Sequence, residues 1–432
     1  MARFLFASWE GGGHVQPLLL VARGLMARGH QVLAVSDACN APDAAALGLP
    51  FRPWITAPSR PDKSPDGDPL KDWLARSPFE IIGDLSERIM CGPAARYARD
   101  TVEIAEAFDA DVVTCHELMF GVMAGAEAAS RRFAPFSSNL WSLPTLSPEA
   151  APFGIGVPPA TDDEYRVVHA RLRQATRAAF QQGLPAFNEA RVGVGLAPLD
   201  NLFEQLDAAD RVLIGSSRAF DFDVPLPAAY RYVGPYFADP AWAEPWTPPW
   251  SEPLGRPLVL VSFSTMYQAQ DDILRRVIEA LGRLPVQGLV TLGPMLSPES
   301  FAAPSNVCIV RSAPHSQLYP KCAAVITHAG HGTALRPLID GAPLLCIPFG
   351  RDQPDNAVRA TERGAALRLT PSASTDEIEA AVRRLIDEPG FARSARALGA
   401  RIRADADARS AEDELESLAA LGRRPVAAAV TR

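Results

Sequence analysis

A glycine-rich turn in the C-terminal half combines residue types that suit a bound phosphate. The segment THAGHGT holds His328, Gly330, Gly332 and Thr333 and follows the apolar run AAVI. We predict a strand that ends at His328 and a helix that begins near Gly332. A helix N-terminus carries unpaired N–H groups and about +0.5 of a charge, and glycines let the backbone approach a ligand closely. The lysine of a Walker loop is absent, so we expect a different kind of phosphate site.

An acid and an amide follow the next predicted strand. The run PLLCIPF ends just before Asp352 and Gln353. In a doubly wound sheet, adjacent strand ends open on one crevice, so we expect these side chains beside the glycine-rich turn. Carboxylate and amide groups suit hydroxyl groups, and a phosphate beside a polyol describes a sugar nucleotide. The alternative is an ordinary turn with a satisfied histidine and a surface acid.

A third candidate lies near the N-terminus. The segment EGGGH places His14 in a glycine turn after the strand RFLFAS, at the crevice-facing end of the predicted sheet. An imidazole with a pKa near neutral can accept the proton of a hydroxyl group. We therefore predict that His14 is a general base, and the alternative is that it only caps the turn.

Two alternations of strands and helices must position these residues. The order strand, glycine turn, helix, strand from RFLFAS to QVLAVSD is a βαβ unit and predicts a parallel sheet. A second alternation begins at LVLVSF, after a segment dense in proline and aromatic residues that we interpret as a linker. We predict an N-terminal domain over 1–223, a linker over 224–256, a second domain over 257–400, and a C-terminal helix with a frayed tail over 401–432 that can pack back on the first domain.

The bulk composition excludes several classes of protein. A chain of 432 residues suits two domains rather than one. Its net charge of −8 argues against a nucleic-acid partner, which needs a basic face. The scattered cysteines lack C-x-x-C spacing, so we expect free thiols. No apolar run reaches the roughly 18 residues of a membrane span, and we expect a cytoplasmic protein.

The donor-side motifs resemble a known family. HAGHGT…GAPLLCIPFGRDQPDNA resembles the donor-binding signature of glycosyltransferase family 1, the UDP-glycosyltransferase superfamily, and is most similar to its bacterial natural-product and macrolide-type branch. GGGHVQP, RGHQV and YVGP resemble the same family, so the resemblance spans nearly the whole chain. It implies an α/β GT-B fold, in which two Rossmann-like doubly wound domains face a central cleft. It also implies inverting, metal-independent chemistry without a cofactor, with a UDP- or dTDP-sugar as the donor substrate.

The resemblance also implies a role for individual residues. His14 would be the general base, and Asp352 and Gln353 would hold the sugar hydroxyls. The glycine-rich turn would hold the diphosphate, and the backbone of Ala313 would contact the base of the nucleotide. The full set of donor-binding residues that it implies is Thr265, Ala313, His328, Gly330, Gly332, Thr333, Asp352 and Gln353.

Three positions in the donor half depart from the family pattern. Ser312 stands where plant members stack a Trp on the base, and Arg336 stands where a Glu commonly binds the ribose. Ser264 stands where a Gly is usual. These departures bear on which nucleotide is bound, and both UDP and dTDP stay open.

The surroundings of the predicted base also depart from the pattern. The family base is usually oriented by an Asp at the end of a later strand, and in DVVTCHELMFG that position is His116. A carboxylate there would fix the tautomer and stabilise the imidazolium. We name Glu117 as the partner and as a second catalytic candidate. The alternatives are Asp109, another acid, or a base that works without a partner.

Apolar residues of the N-terminal half are candidates for an acceptor site. Methionine adapts to varied ligands, so these residues favour an aromatic or polyketide-like aglycone over a free sugar. For each apolar one, the alternative is a place in the ordinary core. The predicted acceptor-binding residues are Phe79, Met90, His116, Met119, Phe120 and Trp141.

No metal site is predicted. Several D-x-D spacings occur, and a pair of this kind can hold a metal, but a metal site needs a convergent set of ligands. We interpret these pairs as solvated. They are Asp66/Asp68, Asp109/Asp111, Asp221/Asp223 and Asp405/Asp407.

Three competing functions remain as alternatives. A sugar-nucleotide epimerase of the same fold would need extra acids in the cleft and would have no use for an apolar acceptor pocket. A non-catalytic nucleotide-sugar-binding relative would have no need of His14. A nicotinamide enzyme would need G-x-G-x-x-G, and only Asp37 closes the second strand as a ribose-binding acid would.

Overall fold

The structure is a computed structural model, and two parallel sheets with helices on their faces make up most of the part it describes. The described residues are 1–71, 74, 77–239, 247–248, 250, 255–263, 268–293 and 296–425. Thr265 and Ser264, named above as a donor-binding residue and as a departure from the pattern, lie outside them.

The first sheet comes from the N-terminal half. Within the described residues its strands are β1 Arg3–Ala7, β2 Gln31–Ser36, β3 Phe51–Pro53, β4 Val112–His116, β5 Arg132–Ser137, β6 Val212–Ile214 and β7 Tyr230–Tyr232. Their order is β3-β2-β1-β4-β5-β6-β7, and all neighbouring pairs are parallel. Most strand residues are buried, which explains the continuous apolar runs in the sequence.

The second sheet comes from the C-terminal half. Its strands, counted over the described residues, are β8 Leu258–Ser262, β9 Gln287–Thr291, β10 Val307–Val310, β11 Cys322–Thr327, β12 Leu344–Cys346 and β13 Ala366–Arg368. They are parallel throughout, in the order β10-β9-β8-β11-β12-β13. Two doubly wound parallel sheets confirm the predicted fold class.

Helices connect the strands of both sheets. The α-helices are α1 Val15–Ala27, α2 Ala41–Ala46, α3 Pro78–Leu85, α4 Ala94–Phe108, α5 Phe120–Ala128, α6 Asp163–Gln181, α7 Leu184–Gly193, α8 Glu204–Asp207, α9 Asp271–Arg283, α10 His315–Leu318, α11 His331–Ile339, α12 Gln353–Glu362, α13 Thr375–Asp387, α14 Pro389–Asp407 and α15 Ser410–Ala420. Shorter turns are the 3₁₀ segments Ala38–Asn40, Pro65–Gly67, Pro298–Ser300 and Tyr319–Lys321 and the π-helical Ser86–Cys91. Over the described residues, none of these helices combines the length and the apolar character that crossing a membrane requires.

The domain limits differ from the predicted ones at two places. Strand β7 lies inside the predicted linker over 224–256, yet it pairs with β6 as the last strand of the first sheet. Because prolines flank YRY, the sequence did not predict this short strand. The predicted limit at residue 400 falls inside α14. At the end of the described chain, α15 packs on the first domain, where Asp413 and Glu416 lie 2.6 and 2.7 Å from the guanidinium of Arg28.

Each sheet has a point at which the strand order reverses. In the first sheet the chain builds β2 and β3 on one side of β1 and then places β4 on the other side. In the second sheet β8 and β11 flank the same kind of reversal. Crevices for ligands open at the C-terminal ends of strands at such points. His14 follows β1, His116 ends β4, and His328 follows β11, so the topology brings them to these crevices.

Candidate active site

His14 lies at the start of α1, beside the C-terminal ends of β1 and β4. Its Nε2 lies 3.0 Å from the carbonyl oxygen of Trp9. Because a carbonyl can only accept, Nε2 carries the proton and Nδ1 is the unprotonated nitrogen. The half-buried ring packs against the Trp9 indole, with the ring centroids 4.8 Å apart. Nδ1 of His14 is therefore free to accept a proton, and the Trp9 carbonyl orients the ring.

The surroundings of His14 favour its neutral form. Burial lowers the pKa of His14 from 6.5 to about 4, and the charge of Arg351 lowers it further while the Trp9 carbonyl opposes the change. A neutral imidazole at physiological pH is competent to accept a proton.

We expect the rate to stay high well below neutral pH. The kcat/KM should change little between about pH 7 and about pH 5 and should fall only as His14 is protonated near about pH 4. Initial rates across this range, with circular dichroism at each pH to check folding, measure the profile. A half-maximal rate near about pH 6.5, the pKa of an unshifted histidine, would contradict the expectation.

His116 stacks on His14. The two ring centroids lie 4.1 Å apart, with the planes inclined by 46°. The Leu118 N–H donates to Nδ1 of His116 at 3.3 Å, so the proton of this ring is on Nε2, which lies 3.1 Å from Oε2 of Glu117. Burial lowers the pKa of His116 well below its usual range, and the ring is neutral.

Glu117 lies against His116 rather than against His14. Its Oε1 accepts hydrogen bonds from the hydroxyls of Ser137 and Ser142, at 3.2 and 3.3 Å. Its Oε2 is buried, and the approach of His116 does not have the geometry of a hydrogen bond. Burial raises the pKa of Glu117 to about 8. The expected contact between Glu117 and His14 is therefore not formed. Glu117 contacts His116, and His116 stacks on His14.

Asp109, the alternative partner of the base, is far from it in the fold. It precedes β4, whereas His14 lies at the opposite, C-terminal edge of the same sheet. Its carboxylate pairs with Arg3 at 2.7 Å and with Arg423. The alternative that Asp109 orients His14 is therefore wrong.

The glycine turn leaves no room for a side chain at Gly11. A Cβ there would lie 2.3 Å from Cε1 of His14 and 2.5 Å from the Trp9 ring, whereas a Cβ at Gly13 would meet nothing within 4 Å. We expect Gly11→Ala to displace the base and to lower kcat by up to about 100-fold, as small misplacements of catalytic groups do. Steady-state kinetics beside Gly13→Ala as the matched control test this, and equal rates for the two variants would contradict it.

His328 bridges two strand ends on the donor side. Its buried ring hydrogen-bonds the backbone of Ser262, the last residue of β8, and burial lowers the pKa of His328 to about 4. The hydroxyl of Thr333 lies 3.4 Å from Nδ1. A Cβ at Gly330 would lie 2.5 Å from Nε2 of the same ring, so this position requires glycine. The predicted turn thus leads from β11 into the start of α11, with its glycine packed against the histidine.

Thr333 also makes contacts within its own turn. Its hydroxyl lies 3.0 Å from the carbonyl oxygen of Gly330 and 2.9 Å from the Thr327 hydroxyl. These bonds hold the first turn of α11. The contacts of Thr333 and Gly332 with a diphosphate stay predictions.

Asp352 and Gln353 order the loop that leads into α12. Oδ2 of Asp352 accepts hydrogen bonds from the His331 N–H at 3.1 Å and from the Asn356 amide at 2.8 Å. Oε1 of Gln353 accepts one from the Phe349 N–H at 2.7 Å. The bond from His331 joins Asp352 to the glycine-rich turn, as the adjacency of β11 and β12 predicts, whereas Gln353 holds its own loop. Their contacts with sugar hydroxyls stay predictions.

Arg351 is a site residue that sequence reasoning missed. It has a φ of 59°, in the left-handed region that a non-glycine residue rarely adopts. Its charge lowers the pKa of His14, on the first domain, and of His328, on the second. A cation therefore lies close enough to act on both the base and the turn of the donor side. Its place directly before Asp352 is the only sequence signal that could have found it.

Ser312 and Arg336 are two of the three departures in the donor half, and Ser312 adjoins Ala313. Ala313 itself is buried. Arg336 forms an ion pair with Asp239, from the segment after β7, and the Asp239 carboxylate also accepts a hydrogen bond from Ser316. The guanidinium of Arg336 lies 5.6 Å from the ring centroid of Tyr319. The position of the family's ribose-binding acid thus carries an arginine that is paired with an acid from outside α11.

Most of the predicted acceptor residues belong to the core. Met90, Met119 and Phe120 have no exposed area, and Trp141 is buried with its indole N–H bonded to Thr145 at 2.8 Å. Phe120 begins α5, whose residues 120–126 are all buried among other elements of the domain. Phe79 is 39% exposed on α3. Of the six, His116 has a ring that stacks on the base, with the two centroids 4.1 Å apart.

Several polar contacts join the two domains at the cleft. The backbone N–H of Gly154 donates to Asp355 on α12 at 2.5 Å. The ring of His331 bonds the Ser216 hydroxyl at 2.9 Å. The domains therefore meet at the start of α11 and of α12, where the donor-side residues lie.

The D-x-D pairs do not all behave as solvated surface pairs. Asp221 is buried and paired with Arg359 at 2.6 Å, and Asp405 accepts a hydrogen bond from Ser217 at 2.5 Å. The interpretation of these two as solvated is wrong, and it is also wrong for Asp68, which is buried and accepts a hydrogen bond from the Leu70 N–H. In the part of the chain that the structure describes, no group of three or more metal-ligating side chains is suited to hold an ion.

Asp37 does not offer its carboxylate to a ligand. Its two oxygens accept hydrogen bonds from the backbone N–H groups of Glu10, at 2.8 Å, and Arg60, at 2.6 Å. This observation argues against the nicotinamide alternative.

Comparison with known proteins gives a consistent class. Residues 275–418 match the family described as erythromycin biosynthesis protein CIII-like, C-terminal domain. The chain is 29% identical over 426 residues to 4'-demethylrebeccamycin synthase of Lentzea aerocolonigenes, which covers 95% of this chain and 97% of the relative.

Solved structures agree on the fold. The glycotransferase of kitacinnamycin superposes with a TM-score of 0.75 at 19% identity, over 96% of this chain and 98% of the other. The glycosyltransferase VinC in complex with dTDP superposes with a TM-score of 0.67 at 20% identity, over 97% of this chain and 100% of the other. Fold, site and relatives define a nucleotide-sugar-dependent glycosyltransferase. These matches confirm the resemblance to bacterial natural-product glycosyltransferases that the sequence motifs indicated.

Proposed function

We propose that this chain transfers a hexose from a UDP- or dTDP-sugar to a hydroxyl of an apolar aromatic or polyketide-like natural product, with inversion and without a metal. The observation that carries the proposal is the geometry of His14. Its unprotonated Nδ1 lies at the reversal between β1 and β4, near the charge of Arg351 from the second domain. The natural-product relatives and the dTDP complex of VinC support the choice of substrates.

The reaction is a single displacement at the anomeric carbon. The acceptor hydroxyl gives its proton to Nδ1 of His14, and its oxygen forms the new bond to the anomeric carbon. The bond from that carbon to the diphosphate oxygen breaks, and the electron pair leaves with the nucleotide diphosphate. Attack on the side opposite the leaving group inverts the configuration.

The leaving diphosphate needs positive charge and hydrogen-bond donors. The N-terminus of α11 supplies N–H groups and the positive end of the helix dipole. Arg351 supplies a full charge beside it, and in this proposal it carries part of the stabilisation that a metal ion gives in other enzymes. Asp352 and Gln353 would bind the sugar hydroxyls, and the backbone of Ala313 would contact the base.

Product analysis tests the proposal. The protein is incubated with UDP- and dTDP-glucose and with a panel of phenolic and polyketide aglycones, in the presence of EDTA, and glycosides are sought by mass spectrometry. We expect new glycosides, whose anomeric configuration by NMR is opposite to that of the donor. Retained configuration would contradict inversion, and dependence on an added metal would contradict metal independence. Donor binding without any transfer would favour the non-catalytic alternative.

A further inference from the structure

The group that orients His14 is neutral. Nε2 of the ring bonds a backbone carbonyl, whereas an acid–base histidine gains most from a carboxylate, which stabilises the imidazolium when it forms. Within the described residues, no carboxylate forms an ion pair with His14. The base must therefore accept a proton with little help from its immediate partner.

The second ring beside the base is also neutral. His116 stacks on His14, and the carboxylate that lies at ion-pair distance from it in the described part of the chain is Glu117, 3.1 Å from Nε2 of that ring. Oε2 of Glu117, which has no hydrogen-bond partner, thus lies beside His116 and not beside His14, the imidazole that would become charged. An imidazolium at His14 would form against an uncharged aromatic surface.

The other charged groups around His14 do not supply the missing acid. Arg351, from the second domain, disfavours a charge on the ring. Asp352 acts on Glu117, where its charge contributes to the raised pKa. Glu10, in the turn itself, accepts from the Gly12 N–H at 2.9 Å and lies 3.4 Å from Lys63. The titratable or charged groups that face this site from the packed elements are Glu10, His116, Glu117, Arg351 and Asp352.

We propose that this site selects acceptors whose hydroxyl ionises readily, such as a phenol, over those with an aliphatic alcohol, because a carbonyl and a neutral His116 stand where a carboxylate would support the base. The proposal rests on the proposed function and narrows its acceptor class. A phenol has a pKa of about 10, whereas that of water is about 15.7 and that of an aliphatic alcohol is close to it. A weak base removes the proton of the more acidic group at a far smaller cost.

His116 therefore occupies the position from which a carboxylate would support the base. It stacks on the base without bringing a carboxylate to it. The proton still passes from the acceptor oxygen to Nδ1, and the bond changes at the anomeric carbon are the same for both acceptor classes.

Matched acceptors test the proposal on the wild-type chain. Each phenolic aglycone of a panel of naphthols, hydroxyflavones and hydroxyanthraquinones is paired with its hydroxymethyl counterpart. With the donor that the chain uses, we expect kcat/KM to be at least about 100-fold higher for the phenol of each pair. Comparable values, or faster transfer to the alcohols, would overturn the inference while leaving the proposed function intact. No glycoside with any acceptor would overturn both.

Two variants at position 116 distinguish an effect on acceptor selection from a purely structural role. His116→Asp places a carboxylate beside His14, and we expect it to raise the pKa of the acid limb of the rate profile by at least about 1 and to reduce the preference for phenols about tenfold or more. His116→Asn, of similar size and uncharged, should change neither. Thermal unfolding of both variants reports on folding. If the two variants gave the same pH profile and the same acceptor ratio, His116 would have only a structural role and the inference would fail.

Discussion

Replacement of His14 by alanine is expected to lower kcat by about 10²- to 10⁴-fold, the usual contribution of a positioned general base. Nδ1 of this ring is the unprotonated nitrogen, since Nε2 is bonded to Trp9. The donor-side residues lie on the second domain, so the affinity for the nucleotide sugar should stay within about twofold of the wild-type value. Steady-state kinetics and calorimetric titration with the donor measure the two quantities.

A second histidine of the same domain provides the control for this loss. His30 lies at the start of β2 and is bonded to Glu416 at 2.8 Å, away from the C-terminal strand ends. His30→Ala should keep its kcat. The loss in His14→Ala should be smallest for the most acidic phenol, which depends least on a base. A His14→Ala enzyme that works at the wild-type rate would contradict the mechanism.

The meeting of His14 and His116 was predictable in part. Both residues follow or end apolar runs, so the sequence places them at strand ends. Their contact requires in addition that β4 pair with β1, on the side opposite β2. This adjacency is the usual consequence of a doubly wound order, which the βαβ pattern and the family motifs both predict.

The direction of the acid beside His116 was not predictable. Successive residues of a strand point to opposite faces, but His116 is the last strand residue, and the chain turns there. The sequence therefore shows that an acid is near, without showing that it lies against His116. Nor can the sequence show that the backbone carbonyl of Trp9 orients His14 where an acid was expected, because every residue has a backbone carbonyl.

Residue type alone does not separate an acceptor-binding residue from a core residue. Met119 and Phe120 are equally suited to a pocket wall and to a core, and only the packing of α5 decides for the core. Arg351 was missed for a related reason. Its left-handed backbone and its place between two domains depend on tertiary contacts that no local pattern records.

Removal of the buried cation between the domains should have the largest effect on stability. Arg359→Leu is expected to lower the free energy of unfolding by about 3–5 kcal/mol, because it removes the cation that is bonded directly to the buried carboxylate of Asp221. Nε of Arg359 lies 2.6 Å from Asp221, and the two side chains are only 9% and 5% exposed. The Tyr232 hydroxyl, at 2.7 Å, would remain as a neutral donor to Asp221.

An exposed ion pair with nearly the same geometry gives the matched control. Arg403 lies 2.7 Å from Asp340, but its side chain is 52% exposed, so Arg403→Leu should cost no more than about 1 kcal/mol. Urea unfolding followed by circular dichroism compares the variants, and the double variant Asp221→Asn/Arg359→Leu should recover part of the loss. Because Asp221 follows β6 and Arg359 lies on α12, the pair also joins the two sides of the cleft. Equal losses for the two arginine variants would show that burial between the domains adds nothing to the strength of the pair.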